Sequence, residues 1–122
     1  MEGASFQPGN PKANGLSILY YNARSLLPKV DELAATAKVL QPTIICVVET
    51  WLSDEVTDPE ISIEGYIMHR LDRNRHGGGV IVYTDSCVSA ELLMVGPSNL
   101  EFLSISVTSP YSTHKHCISV FY

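Results

Sequence analysis

A chain of 122 residues, 45% hydrophobic and 17% charged, has room for one globular domain or a piece of one, and this balance excludes an intrinsically disordered segment. A formal net charge of -5 disfavours a sequence-indifferent nucleic-acid coat protein, which would be basic. It does not exclude a nuclease, whose carboxylates can hold a divalent cation that itself meets phosphate. Three cysteines, Cys46, Cys87 and Cys117, show no C-x-x-C spacing, which speaks against a disulfide framework or zinc module and suits a reducing compartment. No apolar run reaches the roughly 18 residues of a membrane helix, and residues 1–15 contain no signal-peptide core. The expected setting is intracellular, nuclear or cytoplasmic, neither secreted nor membrane-spanning.

Residues 1–15 are punctuated by Gly3, Pro8, Gly9, Asn10, Pro11, Asn14 and Gly15 and are expected to form a flexible leader to a domain spanning 16–122. Residues 16–21, Leu-Ser-Ile-Leu-Tyr-Tyr, form an apolar run that predicts a strand and ends on a polar residue, Asn22. A helix is expected to start near Pro28, which has no N–H to leave unpaired in a first turn. Asp31 and Glu32 suit the positive end of its dipole and Lys38 the negative end. Val30, Leu33, Ala34, Ala37 and Leu40 share one face at helical spacing, and Pro42 stops the helix. Residues 43–48, Thr-Ile-Ile-Cys-Val-Val, then predict a second strand, with Cys46 packed inside it as a small hydrophobe. Strand, helix and strand in this order imply a βαβ unit with a right-handed crossover. From Gly65 onward β runs with short connections are expected at 66–71, 79–83, 88–95, 102–108 and 116–122. Strict alternation in Leu103-Ser-Ile-Ser-Val107 predicts one buried and one wet face. The final run, His116-Cys-Ile-Ser-Val-Phe-Tyr122, has no turn, cap or polar tail, so the chain is expected to be truncated within a strand.

Glu49 closes the second apolar run and is followed by Thr50-Trp51-Leu52. A carboxylate at the end of a buried strand is costly unless a cation, a proton or a donor meets it. If the two strands are neighbours, Asn22 and Glu49 lie at the same rim of one sheet, where open α/β sheets place their ligands. Each has a plainer explanation, since Asn is common in turns after strands and a strand-end Glu can face solvent. Together they make a hard oxygen ligand and an orienting amide for Mg²⁺ and phosphate.

Arg70, Arg73 and Arg75, three of the eight Lys and Arg residues, cluster before Gly77-Gly-Gly79 and could meet a phosphate backbone or simply face solvent. The glycines are no phosphate-binding P-loop, because no Lys-Ser/Thr follows and a strand comes next. They imply a bulge or a close backbone approach before Val80. His114 and His116 share a strand face but lack a third metal ligand, and the acidic residues Asp54, Glu55, Asp58, Glu60 and Glu64 suggest a solvated loop with a turn at Asp58-Pro59.

Four segments in order, Tyr20-Tyr-Asn-Ala-Arg-Ser-Leu26, Glu49-Thr-Trp-Leu52, Arg73-x-x-x-Gly77-Gly-Gly-Val80 and Val120-Phe-Tyr122, resemble the N-terminal half of an endonuclease/exonuclease/phosphatase domain. The wording is most similar to the apurinic-endonuclease-like nuclease of non-LTR (LINE-type) retrotransposons, of the chicken-repeat and jockey groups, and covers residues 16–122. The resemblance implies the first half of a four-layer α/β sandwich with its active site at one rim between two sheets. It implies Glu49 as the Mg²⁺ ligand (Mn²⁺ serving in its place) and Asn22 as a residue arranging metal and phosphate. It implies Tyr122 as a hydroxyl facing the scissile phosphate, and Arg73 as part of a structural or DNA-facing loop. The family's Asp-x-Asn pair, a further aspartate and a terminal Ser-Asp-His cluster have no counterpart in these 122 residues. The parent would nick DNA, with the missing C-terminal half as partner, whereas this chain is expected to be inactive. The alternatives are a small anion- or nucleic-acid-binding module using the Arg70–Arg75 loop, another phosphoesterase of the same superfamily, or a relic without function.

Overall fold

The computed structural model describes residues 4–7, 16–73, 76–97, 101–108 and 114–122. Among these residues are eight strands and one α-helix, arranged as β1 (Ala4–Gln7), β2 (Ile18–Asn22), α1 (Val30–Leu40), β3 (Ile44–Val48), β4 (Tyr66–Leu71), β5 (Val80–Asp85), β6 (Ser89–Val95), β7 (Phe102–Thr108) and β8 (Lys115–Phe121). Two sheets result, one of five strands in the order β1-β2-β3-β5-β4 and one of three in the order β6-β7-β8. The expected βαβ unit is present: β2 and β3 run parallel and α1 joins them.

The sequence reading differs from the structure mainly at the start. Ala4–Gln7, read as part of a flexible leader, pairs antiparallel with β2, Ala4 opposite Tyr21 and Gln7 opposite Ile18. Such a short segment among Gly, Pro and Asn carries no period of its own, and only the open edge of β2 gives it a partner. The rest of the expected leader lies outside the described residues, apart from 4–7. Pro28 sits in a 3-10 turn, Leu27–Lys29, immediately ahead of α1. Gln41, in the left-handed conformation at φ 51°, closes the helix by donating its N–H to the Ala37 carbonyl at 2.7 Å.

Two apolar layers meet on β3, which is buried along its whole length. Ile45 and Val47 join Leu19, Tyr21, Leu33, Ala37, Ile81 and Tyr83 beneath α1, while Ile44, Cys46 and Val48 join Val80, Val82, Leu103, Ile105, Val107 and Val120 between the sheets. Alternation therefore vanishes from β3 because both of its faces are covered. On β7 the alternation survives: Leu103, Ile105 and Val107 point into the core. Ser104 meets Ser119 on the opposite face at 2.6 Å between hydroxyl oxygens, and the Phe102 and Phe121 rings lie 5.1 Å apart. Leu40, placed on the apolar face of the helix, is exposed at its last turn. The acidic stretch is more than a solvated loop: a 3-10 turn, Asp58–Ile61, is closed by Thr57 and Glu60 and sends Ile61 and Ile63 into the core beneath α1.

The start of β2 is clasped to the start of β3. Thr43 donates its N–H to Ser17 Oγ at 2.9 Å and the two hydroxyl oxygens lie 3.2 Å apart, all buried. That clasp and the two-sided burial hold the register Ile18↔Ile44 through Asn22↔Val48. A slip of one residue would turn every core side chain of β3 to the opposite face. Among the described residues no helix is long and apolar enough to cross a membrane.

Burial raises the Cys46 thiol to about 12, so it stays protonated and unreactive, whereas Cys87 and Cys117 are exposed. A thiol reagent at mildly alkaline pH is expected to modify Cys87 and Cys117 in the native chain, with Cys46 reacting only after denaturation. Modification of Cys46 at native-state rates equal to the other two would contradict this packing. His69 Nε2 is buried without a hydrogen-bond partner, and burial lowers its pKa below the ordinary value. The unfolded chain therefore takes up this proton at higher pH than the folded chain. Stability is full above the ordinary histidine pKa and is lost as pH falls through it toward the lowered value. Melting temperature should consequently drop more between about pH 7.5 and about pH 5.5 in the wild type than in His69→Gln. Equal drops would show that His69 contributes no linkage.

Candidate active site

The register that pairs Asn22 with Val48 puts Asn22 and Glu49 at the same end of neighbouring parallel strands. The chain stays knitted past the strand ends. Ala23 N–H donates to the Val48 carbonyl at 2.9 Å, Ser25 N–H to Glu49 at 3.0 Å and Leu26 N–H to Thr50 at 2.9 Å. Ala23 and Leu26 are fully buried and anchor this extension in the core beneath α1. Four non-glycine residues here adopt positive φ: Arg24 at 47°, Ser25 at 82°, Glu49 at 58° and Trp51 at 53°. Each such conformation costs on the order of 1 kcal/mol, and strain concentrated this way persists where surrounding structure over-determines it, commonly at functional sites.

Glu49 is held from two sides. Trp51 donates its indole N–H to Glu49 Oε2 at 3.2 Å. Tyr122, exposed just beyond β8, shares a side-chain hydrogen bond with the same carboxylate, which is the first cause of its raised phenol pKa. Asn22 Oδ1 and Thr50 Oγ1 are buried polar atoms without a hydrogen-bond partner. A buried amide oxygen with no partner is costly in a finished structure and suggests a ligand that completes it. Asn22, Glu49 and Tyr122, the three catalytic candidates of the sequence, thus converge on one rim.

The glycine run explains how the rim is closed. Trp51 N–H donates to the Gly78 carbonyl at 2.9 Å and Thr50 N–H to the Gly79 carbonyl at 3.4 Å. Gly79, at φ 92°, lies so near Thr50 that a Cβ there would collide with its hydroxyl oxygen. A Cβ on Gly78, at φ 68°, would stand 2.5 Å from Arg73 Nε. Arg73 therefore lies across the turn, with Nε donating to the Gly77 carbonyl at 3.3 Å and Nη1 3.6 Å from Glu101 Oε2. The close backbone approach expected of the glycines is what they provide.

Arg70 does something other than the sequence suggested. Its guanidinium is spent on Asp58 at 2.9 Å, Asp72 at 2.7 Å and the carbonyls of Ser53 and Val56, tying β4 to the loop before it. It is not available to a phosphate backbone, and Arg75 lies outside the described residues. Glu101 was missed. It sits just before the alternating run of β7 and so carries a weaker form of the signal that singles out Glu49, a carboxylate at the end of an apolar strand.

Glu49 and Asn22 offer two hard oxygen donors, and among the described residues no group of three or more His, Cys, Asp or Glu converges. That set fits Mg²⁺, which commonly takes one or two carboxylates and completes its shell with water and substrate phosphate. His114 and His116 likewise belong to no such group. A Gly79→Ala substitution meets both the positive φ and the Thr50 hydroxyl and is expected to lower unfolding free energy by about 2–4 kcal/mol. A change below about 0.5 kcal/mol in denaturant melts would contradict the close approach.

No protein-family model and no curated protein sequence matches the chain. Solved structures do. The AP endonuclease LMAP from Leishmania major superposes with a TM-score of 0.66 at 17% identity, covering 86% of this chain and 39% of that one. The human Nocturnin catalytic domain, solved with a bound sulfate anion, superposes with a TM-score of 0.62 at 13% identity, covering 95% of this chain and 52% of that one. The chain thus spans about half or less of the length of these structures. At such identities the likeness speaks for the fold, which is the mixed α/β sandwich of the endonuclease/exonuclease/phosphatase proteins.

Proposed function

We propose that this chain carries the metal-binding half of an Mg²⁺-dependent phosphodiester hydrolase, of the apurinic-endonuclease-like type that nicks DNA for non-LTR retrotransposons. The observation that carries the reading is the rim itself: the Glu49 carboxylate, held by Trp51 and Tyr122, beside Asn22 with its buried, unpartnered Oδ1. One similar structure is named an AP endonuclease and the other holds sulfate, a tetrahedral oxyanion shaped like a phosphate group. The choice of DNA and of the retroelement branch rests on the four sequence segments around Asn22, Glu49, Arg73 and Tyr122. Another phosphoesterase of the same superfamily would share the rim and differ in those segments. The anion-binding module built on the Arg70–Arg75 loop loses support because Arg70 is already paired.

In this reading Glu49 holds the cation through its carboxylate, and Trp51 keeps that carboxylate from rotating. Asn22 offers its amide oxygen to the cation or, turned about, its amide N–H to a phosphate oxygen. Tyr122 supplies a hydroxyl donor to the phosphate, and the Arg73 guanidinium, 49% exposed, supplies positive charge beside it. Bound Mg²⁺ (or Mn²⁺) would neutralise charge developing on the phosphate oxygens. The groups that the resemblance assigns to positioning or deprotonating the attacking water, an aspartate, and to stabilising the pentacovalent phosphate, a His–Asp pair, fall after the position of Tyr122. DNA and the second half of the domain are therefore the proposed partners, in an intracellular setting.

The purified 122-residue chain is expected to bind Mn²⁺ or Mg²⁺ at one site, measured by calorimetry, with Glu49→Ala weakening binding by about tenfold or more. The same chain is expected to leave supercoiled plasmid intact. Absence of any Glu49-dependent cation binding would sink the metal reading. Mg²⁺-dependent nicking abolished by Glu49→Ala would keep the chemistry and overturn the proposed inactivity.

A further inference from the structure

Glu101 has no part in the site as the sequence predicts it, yet three of its atoms touch the elements that hold Glu49. Its side chain is only 12% exposed. Oε1 accepts the Gly79 N–H at 2.8 Å, Oε2 lies 3.6 Å from Arg73 Nη1, and the main-chain oxygen accepts the Tyr122 N–H at 2.9 Å. From there two short paths lead to the same carboxylate. One runs through the glycine turn to Trp51, whose N–H is held by the Gly78 carbonyl and whose indole reaches Glu49. The other runs through Tyr122, whose hydroxyl reaches Glu49.

We propose that Glu101 is a positioning residue of the Glu49 site: its carboxylate holds the glycine turn that orients Trp51, and its carbonyl seats Tyr122. A residue present only to neutralise Arg73 would have no need of Gly79, and a 3.6 Å ion pair compensates a nearly buried carboxylate poorly. The 2.8 Å bond from a backbone N–H is the stronger contact, and it lands on the residue that packs against Thr50. The turn needs this acceptor. Gly78 and Gly79, both at positive φ, receive the Trp51 and Thr50 N–H groups on their carbonyls, and the Glu101 carboxylate takes the Gly79 N–H on the other side of the same turn. Side chains that orient a metal ligand are worth about 10- to 100-fold in metal affinity when removed.

The inference rests on reading Glu49 as a cation ligand, but its first test needs no metal. Trp51 is the one tryptophan of the chain, so a single indole N–H resonance in ¹⁵N-labelled protein reports the bond to Glu49. Glu49→Gln supplies the reference displacement for loss of the charged acceptor. Glu101→Ala is expected to shift the indole signal and to speed its solvent exchange by about tenfold. Glu101→Gln keeps an oxygen for the Gly79 N–H and is expected to retain the wild-type signal, as is Glu91→Ala on exposed β6. In a Mn²⁺ titration Glu101→Ala should bind about tenfold more weakly, and Glu101→Gln within about twofold of wild type.

A folded Glu101→Ala that matches Glu91→Ala in both measurements overturns the proposal, as does failure of Glu101→Gln to restore the indole signal. If Glu101→Ala does not fold, Glu101→Asp decides. One methylene shorter, it is expected to lose Gly79 and shift the resonance, and an unshifted signal refutes the role. Wild-type protein that binds no Mn²⁺ through Glu49 would defeat the phosphodiesterase reading, while the metal-free indole comparison would still decide what Glu101 does.

Discussion

The parallel register between β2 and β3 is the constraint from which the rest of this site follows. It is imposed at the far end by the Ser17–Thr43 clasp and along its length by a strand buried on both faces. Because β3 carries core side chains toward α1 and toward the second sheet alike, no shifted pairing leaves either layer intact. The consequence appears at the other end of the two strands, where an amide and a carboxylate emerge side by side. The polar rim is thus the outcome of apolar packing some distance from it.

A second constraint acts on the other side of Glu49. Positive φ at Glu49 and Trp51 has to be held by neighbours, and those neighbours are carbonyls of the glycine turn. The turn can approach only because it lacks side chains, and Arg73 and Glu101 occupy the space that side chains would have filled. Residues from the ends of β3, β4, β5, β7 and β8 therefore share one network, although they lie as far apart in the chain as Glu49 and Tyr122. A carboxylate fixed in this way loses little freedom when it takes a ligand, which is the usual advantage of a preorganised site.

Local patterns made much of this legible. The strand limits 66–71 and 102–108 coincide with β4, which begins after Gly65, and with β7, whose residues 103–107 alternate with period two. The βαβ unit was readable from its helical face and Pro42, and Asn22 and Glu49 from polar residues that interrupt apolar runs. Glu101 carried the same signal as Glu49 at lower contrast, because the residues before it have no apolar run. The Arg70 assignment failed for a different reason: a cluster of arginines looks alike in sequence whether its charges are free or already paired.

The amino-acid sequence by itself determined the secondary elements, the two-sided burial of β3 and the identity of the polar residues at its rim, because these follow from side-chain periodicity and backbone restrictions over a few residues. Tertiary structure alone decided that Ala4–Gln7 joins the sheet, that Arg70 is spent on Asp58 and Asp72, and that Tyr122, Trp51 and Glu101 gather around Glu49. Those outcomes depend on which edges lie open and which charges meet across the fold. Whether a side chain turns to a near neighbour, as Trp51 does to Glu49, or to a distant one, as Glu101 does to Gly79, leaves no local pattern, so only the packed chain could reveal it.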